Sequence, residues 1–157
     1  MKEYTSITDE DVLEVKRHIK NTIFAETSIE YINKEIEKLT KRKAEISGKL
    51  ACNDVMFEKI DLVIKNRKED LVRLFEHSLA MDVYMSQLDE EEGRILNQSC
   101  KKYTSCEIIA YKNGMSRATF FRIKKKAMEN LAVLMKEDGC LYDEYLTIKT
   151  GGNEKCM

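Results

Sequence analysis

The 157-residue sequence has no proline, no tryptophan and only six glycines. Proline and glycine interrupt helices and build tight turns, so their scarcity argues against a fold of many short strands. No apolar run approaches the ~20 residues that span a bilayer, and the first residues lack the basic start and apolar stretch of a signal peptide. We therefore expect no membrane segment and a cytoplasmic location.

Histidine is also scarce, since only His18 and His77 are present, and both are expected at the surface or its boundary. The five cysteines are odd in number, and none lies in a C-x-x-C pair or has a histidine at zinc-finger spacing. We expect reduced thiols and no metal or other cofactor. An enzyme is the least favoured class, because no phosphate-binding glycine-rich loop and no paired nucleophile and base can be assembled.

Charged residues are abundant, and apolar residues recur at helical spacing along much of the chain. Charged residues make up 35% of the chain, and the mixture of Lys, Glu, Ile and Leu favours long helices, so we predict an all-α protein. Residues 1–84 are predicted to form a helical hairpin or coiled coil that serves oligomerisation or partner binding. The sequence leaves open whether the helices pair within one chain, form the core of one bundle, or join two chains.

The N-terminal region has two apparent helix starts, a capping box at Thr8 and Asp11 and a second at Thr27–Glu30. A reversal is predicted at Gly48–Asp54, and Arg67 falls on the apolar seam of the following helix. The predicted seams contain Ile29, Ile32, Ile36, Leu39, Ile46 and Leu50, and then Phe57, Ile60, Ile64, Leu71 and Leu74.

Basic residues are concentrated in one segment. Residues Ser99 to Lys136 contain nine Lys or Arg against two acids, a net +7, although the whole chain carries only -1. Such asymmetry within one chain indicates a local anionic partner.

Residues 85–138 are predicted to form a helix-turn-helix domain that binds double-stranded DNA. Asp89 with Glu92 offers one helix start, and the Thr104–Glu107 box places another near Ser105. Asn113 and Gly114 end that short helix, and Ser116 caps the next one, which leaves a turn of about three or four residues.

The last helix separates an apolar side from a basic side. The apolar stripe contains Phe120, Ile123, Ala127, Leu131 and Leu134, whereas Ala118, Arg122 and Lys125 point the other way, flanked by Thr119, Phe121 and Lys126. We predict that base edges of DNA are contacted by Arg117, Ala118, Thr119 and Arg122. Phosphates are predicted to be contacted by Lys101, Lys102, Lys112 and Lys125. Ser116 and Lys126 complete the predicted DNA-binding set. Phe121 is expected to pack against the N-terminal helices or a second subunit.

A family likeness covers about a third of the chain, from Leu88 to Leu134. The matching features are Leu88-x-x-Glu91 before Ile95-Leu96, the Ile109-Ala110 pair, Gly114-x-Ser116, Thr119-Phe120 and Lys-x-Ala127-x-x-x-Leu131. This segment resembles the region-four-like helix-turn-helix of sigma factors, and in particular the C-terminal part of the ArpU and RinA type phage late-gene transcriptional regulators. The resemblance implies duplex DNA binding through the helix that starts at Ser116, and transcription control in a phage or prophage.

Two other functions remain open beside a DNA-binding regulator. One is a phage small terminase subunit, although such subunits generally place the DNA module first. The other is a coiled-coil protein-interaction module that does not bind DNA. Expected partners of the regulator are duplex DNA, a second copy through the N-terminal helices, and RNA polymerase or another transcription protein.

The C-terminal tail, residues 139–157, is predicted to be partly disordered. Gly139 should end the long helix, and residues Leu141 to Ile148 could form a short helix that folds back on the core. The last seven residues, GGNEKCM, are expected to be disordered.

Overall fold

Five helices and no strand are found in residues 6–47, 54–101 and 104–147, the part of the chain that a computed structural model describes. The helices are α1 (Asp9–Ser47), α2 (Asp54–Ser86), α3 (Glu90–Ser99), α4 (Cys106–Lys112) and α5 (Arg117–Glu137). The prediction of an all-α protein is confirmed. Within these ranges, no helix is long and apolar enough to cross a membrane.

Helix α1 starts at the predicted capping box and then continues unbroken for 39 residues. The Thr8 amide donates to Asp11 Oδ2 at 2.9 Å, and the Asp11 amide donates to Thr8 Oγ1 at 3.2 Å. The predicted second start at Thr27–Glu30 is wrong, since the helix runs through it with Thr27 and Glu30 exposed. The box there is a compatible local signal, but the continuous apolar face through Ala25 and Ile32 decides the structure.

Helices α1 and α2 run antiparallel within one chain. Lys43 of α1 lies 2.5 Å from Asp61 of α2, and Arg67 of α2 lies 3.4 Å from Glu35 of α1. Arg67, predicted at the seam, is partly buried there. The described seam residues are buried or half-buried, namely Ile29, Ile32, Ile36, Leu39, Ile46, Phe57, Ile60, Ile64, Leu71 and Leu74. Leu50 and most of the predicted reversal, residues 48–53, lie outside the described residues.

The main core joins the first half of α1, the end of α2, α3, α5 and residues 140–146. No described residue of α1 after Ile32, and none of α2 before His77, is fully buried. The remote halves of the two helices therefore extend from the core as a pair with a half-buried seam. The predicted division at residues 84 and 138 remains a prediction.

The tail folds back as predicted, but it does so in turns and not as a short helix. Gly139, with φ 72°, ends α5, and the Cys140 amide donates to Met135 O at 3.0 Å. Leu141 and Leu146 are then buried in the core. Ile148 and the GGNEKCM segment lie outside the described residues.

His18 and His77 correct the expectation of surface positions, because both are fully buried. His18 Nε2 lies 2.7 Å from Leu141 O, and His77 Nδ1 accepts the Leu146 amide at 3.0 Å. Desolvation on burial lowers the pKa of His18 from 6.5 to about 4 and also lowers the pKa of His77. The two neutral rings therefore fasten the tail to α1 and α2.

Helix α3 packs very closely on the end of α2. A Cβ atom at Gly93 would lie 2.6 Å from the Met85 carbonyl oxygen, so only glycine permits this approach. Asp89 is the N-cap residue of α3, but its side chain makes no capping hydrogen bond. Glu92 does not complete the predicted cap, because it is buried and accepts hydrogen bonds from Asn130 Nδ2 of α5 at 3.0 and 3.1 Å.

Candidate nucleic-acid interface

A second, smaller core lies beneath the predicted DNA-binding helix. Ile95 of α3, Ile109 and Ala110 of α4, and Phe120 of α5 are buried together. Half-buried Cys106, Met115 and Ile123 close its edge. This core holds α4 and the start of α5 against α3, so the outward side of α5 is presented by a packed support.

Helices α4 and α5 begin and end at the predicted capping residues, with one change. Ser105, and not Thr104, caps α4, and its side chain accepts the Ile108 amide. Gly114 has φ 65°, and the amides of Met115 and Gly114 donate to Ala110 O and Tyr111 O, each at 3.0 Å. This pair of bonds is a Schellman motif, which ends α4 sharply.

Ser116 starts α5 as predicted. Its hydroxyl oxygen accepts the Thr119 amide at 3.2 Å and donates to Thr119 Oγ1 at 2.9 Å. Both side chains are therefore engaged in the first turn of the helix. This capping fixes the direction in which Arg117 and Ala118 project.

The side chain of Asn113 ties the turn to α3. Its Oδ1 accepts from Arg94 Nε at 3.0 Å, and its Nδ2 donates to Gln98 Oε1 and to Ile109 O, each at 2.7 Å. The sequence pattern identified Asn113 only as a helix terminator. The side-chain amide of Asn113, with two donors and one acceptor at a helix end, indicates a hydrogen-bonding role. Its partners Gln98 and Arg94 cannot be identified from the sequence, because they lie 15 and 19 residues away.

Helix α5 presents the predicted basic face to solvent. Ala118, Arg122, Lys125 and Lys126 are exposed, and Thr119 is half-buried at the edge. On the inward side, the stripe is confirmed, since Phe120, Ala127 and Leu131 are buried and Ile123 and Leu134 are half-buried. The first twelve residues of α5 contain five Lys or Arg and no acid.

Arg117 lies at the exposed start of this face, between two neighbouring side chains. Its guanidinium is 3.7 Å from the Glu107 carboxylate and 5.6 Å above the Phe121 ring. Because both partners of the ion pair are more than 70% exposed, water screens it and the pair contributes little to stability. Arg117 can therefore exchange Glu107 for an incoming anion at small cost.

The other predicted basic residues lie at the edges. Lys101 is exposed just beyond α3, and Lys112 is exposed at the end of α4, whereas Lys102 lies outside the described residues. Phe121 is 42% exposed and borders an open groove towards α1, so it packs only partly. Lys124, absent from the predicted set, turns towards Cys106 Sγ at 3.6 Å and the Phe120 ring at 6.0 Å.

This surface offers cations and hydrogen-bond donors on a rigid helix. The described residues contain no group of three or more His, Cys, Asp or Glu that could hold a metal ion. Cys100, which precedes Lys101 in the sequence, is buried, and burial raises the pKa of its thiol to about 12, which disfavours the thiolate. The arrangement is suited to binding an anion by charge and shape.

Comparisons of the chain with models of protein families, with curated proteins and with solved structures find no match in any of the three.

Proposed function

We propose that the protein binds duplex DNA in a sequence-specific manner and regulates transcription, with the first two turns of α5 in the major groove. The observation that carries the proposal is the exposed, acid-free start of α5. Arg117, Ala118 and Arg122 project there from a helix that is capped by Ser116 and supported by its own core. An α-helix fits the width of the major groove, and its N-terminal end approaches the bases first.

Each outward residue type on α5 has a role at the DNA surface in this proposal. Arg117 and Arg122 can each donate two hydrogen bonds to guanine, and Ala118 is small enough to contact a thymine methyl group. Lys125 and Lys126 can neutralise phosphates, and the positive end of the α5 dipole favours the same anion. Lys101 and Lys112, at the ends of α3 and α4, extend the phosphate contacts.

The biological setting rests on the resemblance to ArpU and RinA type regulators between Leu88 and Leu134. It supports transcription control in a phage or prophage, with RNA polymerase or another transcription protein as a further partner. The small terminase remains the alternative phage function, and the order of the segments along the chain disfavours it.

A salt titration of binding to a labelled random duplex tests the proposal, followed by selection of preferred sequences from a random pool. We expect affinity to fall steeply with salt and a defined sequence motif to emerge. A steep salt dependence without a motif would limit the function to non-specific binding. No retention of DNA at low salt would refute DNA binding and leave the protein-interaction module.

A further inference from the structure

Helix α2 carries an apolar stripe on its outer side, formed by Val72, Phe75, Leu79 and Val83. These residues are spaced by three, four and four positions, so they share one side of the helix. They are 55%, 55%, 54% and 41% exposed. The stripe is about 16 Å long at the helical rise of 1.5 Å per residue. It is therefore a continuous patch and not a set of scattered surface residues.

The α2 stripe has acidic borders. Exposed Asp82 lies on one side of it, next to Phe75 on the helix surface, and exposed Glu76 lies on the other. Arg73 is directed elsewhere, because its guanidinium lies over the Tyr145 ring at 5.5 Å and pairs with Asp70 at 3.5 Å. Exposed Lys101 lines the same hollow as Phe75 and Asp82, so the stripe is an apolar strip with mainly acidic edges and one base beside Asp82.

A groove between α1 and α5 has the opposite character. It consists of two adjoining hollows of about 590 and 570 Å³ that share Leu13, Lys16, Lys124 and Met128. Leu13 is 60% exposed and Phe121 is 42% exposed at its edge, so the apolar surface is open to solvent. This α1–α5 groove follows α1 from Asp9 to Ile23, or about 21 Å.

The borders of the α1–α5 groove are mainly basic. Lys16 and Lys20 of α1 and Lys125 of α5 line it, and acids enter only at one end, as Asp9 and Glu129. Lys124 also lines it, but its ammonium is directed at Cys106 Sγ, 3.6 Å away. Arg17, which also borders the groove, is held by the tail carbonyl oxygens of Asp143 at 2.6 Å and Glu144 at 3.0 Å. An apolar strip with acidic edges and a length of about 16 Å would fit within this groove.

The two surfaces lie on opposite sides of the α1–α2 layer. His18 of α1 and His77 of α2 mark the sides that face each other. On α1, Leu13 and Lys20 are rotated from His18 by about 140° and 160°, and on α2, Phe75 and Leu79 are each rotated from His77 by about 160°. A chain cannot therefore place its own α2 stripe in its own groove.

We propose that the α1–α5 groove of one copy of this chain binds the α2 stripe of a second copy. Leu79 and Phe75 of the second copy pack against Leu13 and Met128, and its Glu76 and Asp82 lie beside the lysines of the groove. One contact then covers both exposed apolar surfaces and joins opposite charges. This proposal does not rest on DNA binding.

The contact is head-to-tail, which determines the assembly. After two copies have joined, one still offers an open groove and the other an open stripe, so a third copy can add. Such contacts continue until a ring closes or a filament grows. The expected product is therefore larger than a dimer, whereas a contact between two identical patches would stop at two copies.

Light scattering on the full-length protein, without DNA and over a wide concentration range, tests the proposal. We expect an average mass that rises with concentration beyond that of two chains. Leu13→Glu and Leu79→Glu should each reduce the mass to that of one chain. Leu62→Glu is the matched control, because Leu62 is 58% exposed on the same helix but lies outside the stripe. Helix content by circular dichroism verifies that each variant is folded.

A charge-reversal experiment separates this contact from a general loss of solubility. Lys16→Glu with Lys20→Glu gives a chain with two acidic surfaces, and Glu76→Lys with Asp82→Lys gives a chain with two basic ones. Each variant alone should remain monomeric, because groove and stripe then repel. An equimolar mixture should assemble again, because both contacts between the unlike chains pair opposite charges.

Two results would overturn the proposal. The first is a native chain that is monomeric at every concentration, in which case the groove would instead bind an acidic segment of another protein. The second is a dimer that Leu79→Glu dissociates but Leu13→Glu does not, because it would show two stripes paired with each other.

Discussion

The imidazole rings of His18 and His77 stack inside the core with their centroids 5.4 Å apart, although the two residues are 59 positions apart in the sequence. The Leu146 amide donates to His77 Nδ1, so the proton of the neutral ring is on Nε2, directed at His18 O 3.3 Å away. A second proton on His77 Nδ1 would face that amide. Protonation of His77 is therefore incompatible with the tail contact.

We predict that the protein loses stability as the pH falls from 6.5 towards 4. Unfolded histidine takes up a proton near pH 6.5, whereas folded His18 does so only at about 4, so acid favours the unfolded chain. His18 alone should lower the free energy of unfolding by about 2 kcal/mol between pH 7.5 and pH 5. His77 adds to the loss in the same direction. Urea denaturation at the two pH values measures the difference.

The double substitution His18→Gln with His77→Asn is the control for this pH effect. The glutamine amide can replace Nε2 of His18, and the asparagine oxygen can replace Nδ1 of His77, but neither side chain titrates. The variant should keep nearly the same stability at pH 7.5 and pH 5. An unchanged loss in the variant would assign the effect to other groups. Asp11 does not contribute between these pH values, because its ordinary pKa of 3.8 is already below pH 5 and hydrogen bonds from Tyr142, Thr8 and Lys136 lower it further in the folded chain.

We predict that Arg117→Ala with Arg122→Ala removes most of the sequence preference for DNA. Each bidentate contact between Arg and guanine contributes about 1–3 kcal/mol of discrimination, so the selected site should lose about 5- to 150-fold in affinity per arginine. Binding to random duplex should fall much less. Fluorescence anisotropy on both duplexes measures the ratio. Lys34→Ala, at an exposed position on the remote half of α1, should leave both affinities unchanged.

We predict that Gly93→Ala destabilises the protein by about 1–3 kcal/mol, because the new methyl group would force α3 away from the Met85 carbonyl oxygen. Alanine is the better helix former by about 1 kcal/mol, so a loss of stability would have to come from this close approach. Thermal and urea denaturation give the change. Asn97→Ala, at an exposed position on the same helix, should be neutral or slightly stabilising. A stabilised Gly93→Ala variant would mean that the two helices are not in close contact.

We predict that Asn113→Ala lowers the free energy of unfolding by about 1–2 kcal/mol, because Gln98 and the Ile109 carbonyl both lose a partner. A double-mutant cycle with Gln98→Ala should give a coupling energy of about 0.5–1 kcal/mol. Independent, additive effects of the two substitutions would contradict the hydrogen bond between them. DNA affinity measured on the same variants shows whether the fixed turn also aligns α5.

The features that the sequence predicted well are those decided by neighbouring residues. Ser116 caps α5 by accepting the amide of the residue three positions later. Gly114 and Gly139 adopt the left-handed backbone conformation, which is permitted because glycine has no side chain. The two sides of α5 also follow from a helical period within one segment. For the same reason the positions of the predicted DNA-binding residues on that helix could be derived before any tertiary contact was known.

The features that the sequence did not predict depend on distant partners. His18 appeared isolated because its acceptor, Leu141, is 123 residues away. Glu92 has the spacing of a capping residue, but it instead turns inwards to Asn130, 38 residues later. The capping box at Thr27–Glu30 is equally compatible with a helix interior. In each case the local pattern allowed two outcomes, and burial against a remote segment selected one.

The contacts of the tail have a consequence for folding during synthesis. The small core beneath α5 lies between Ile95 and Ile123 and can close as soon as that segment has left the ribosome. The main core cannot, because Leu141 and Leu146 are themselves buried in it and supply the partners of His18 Nε2 and His77 Nδ1. The first 80 residues therefore cannot complete their packing, and part of their apolar surface stays exposed, until almost the whole described chain has been synthesised.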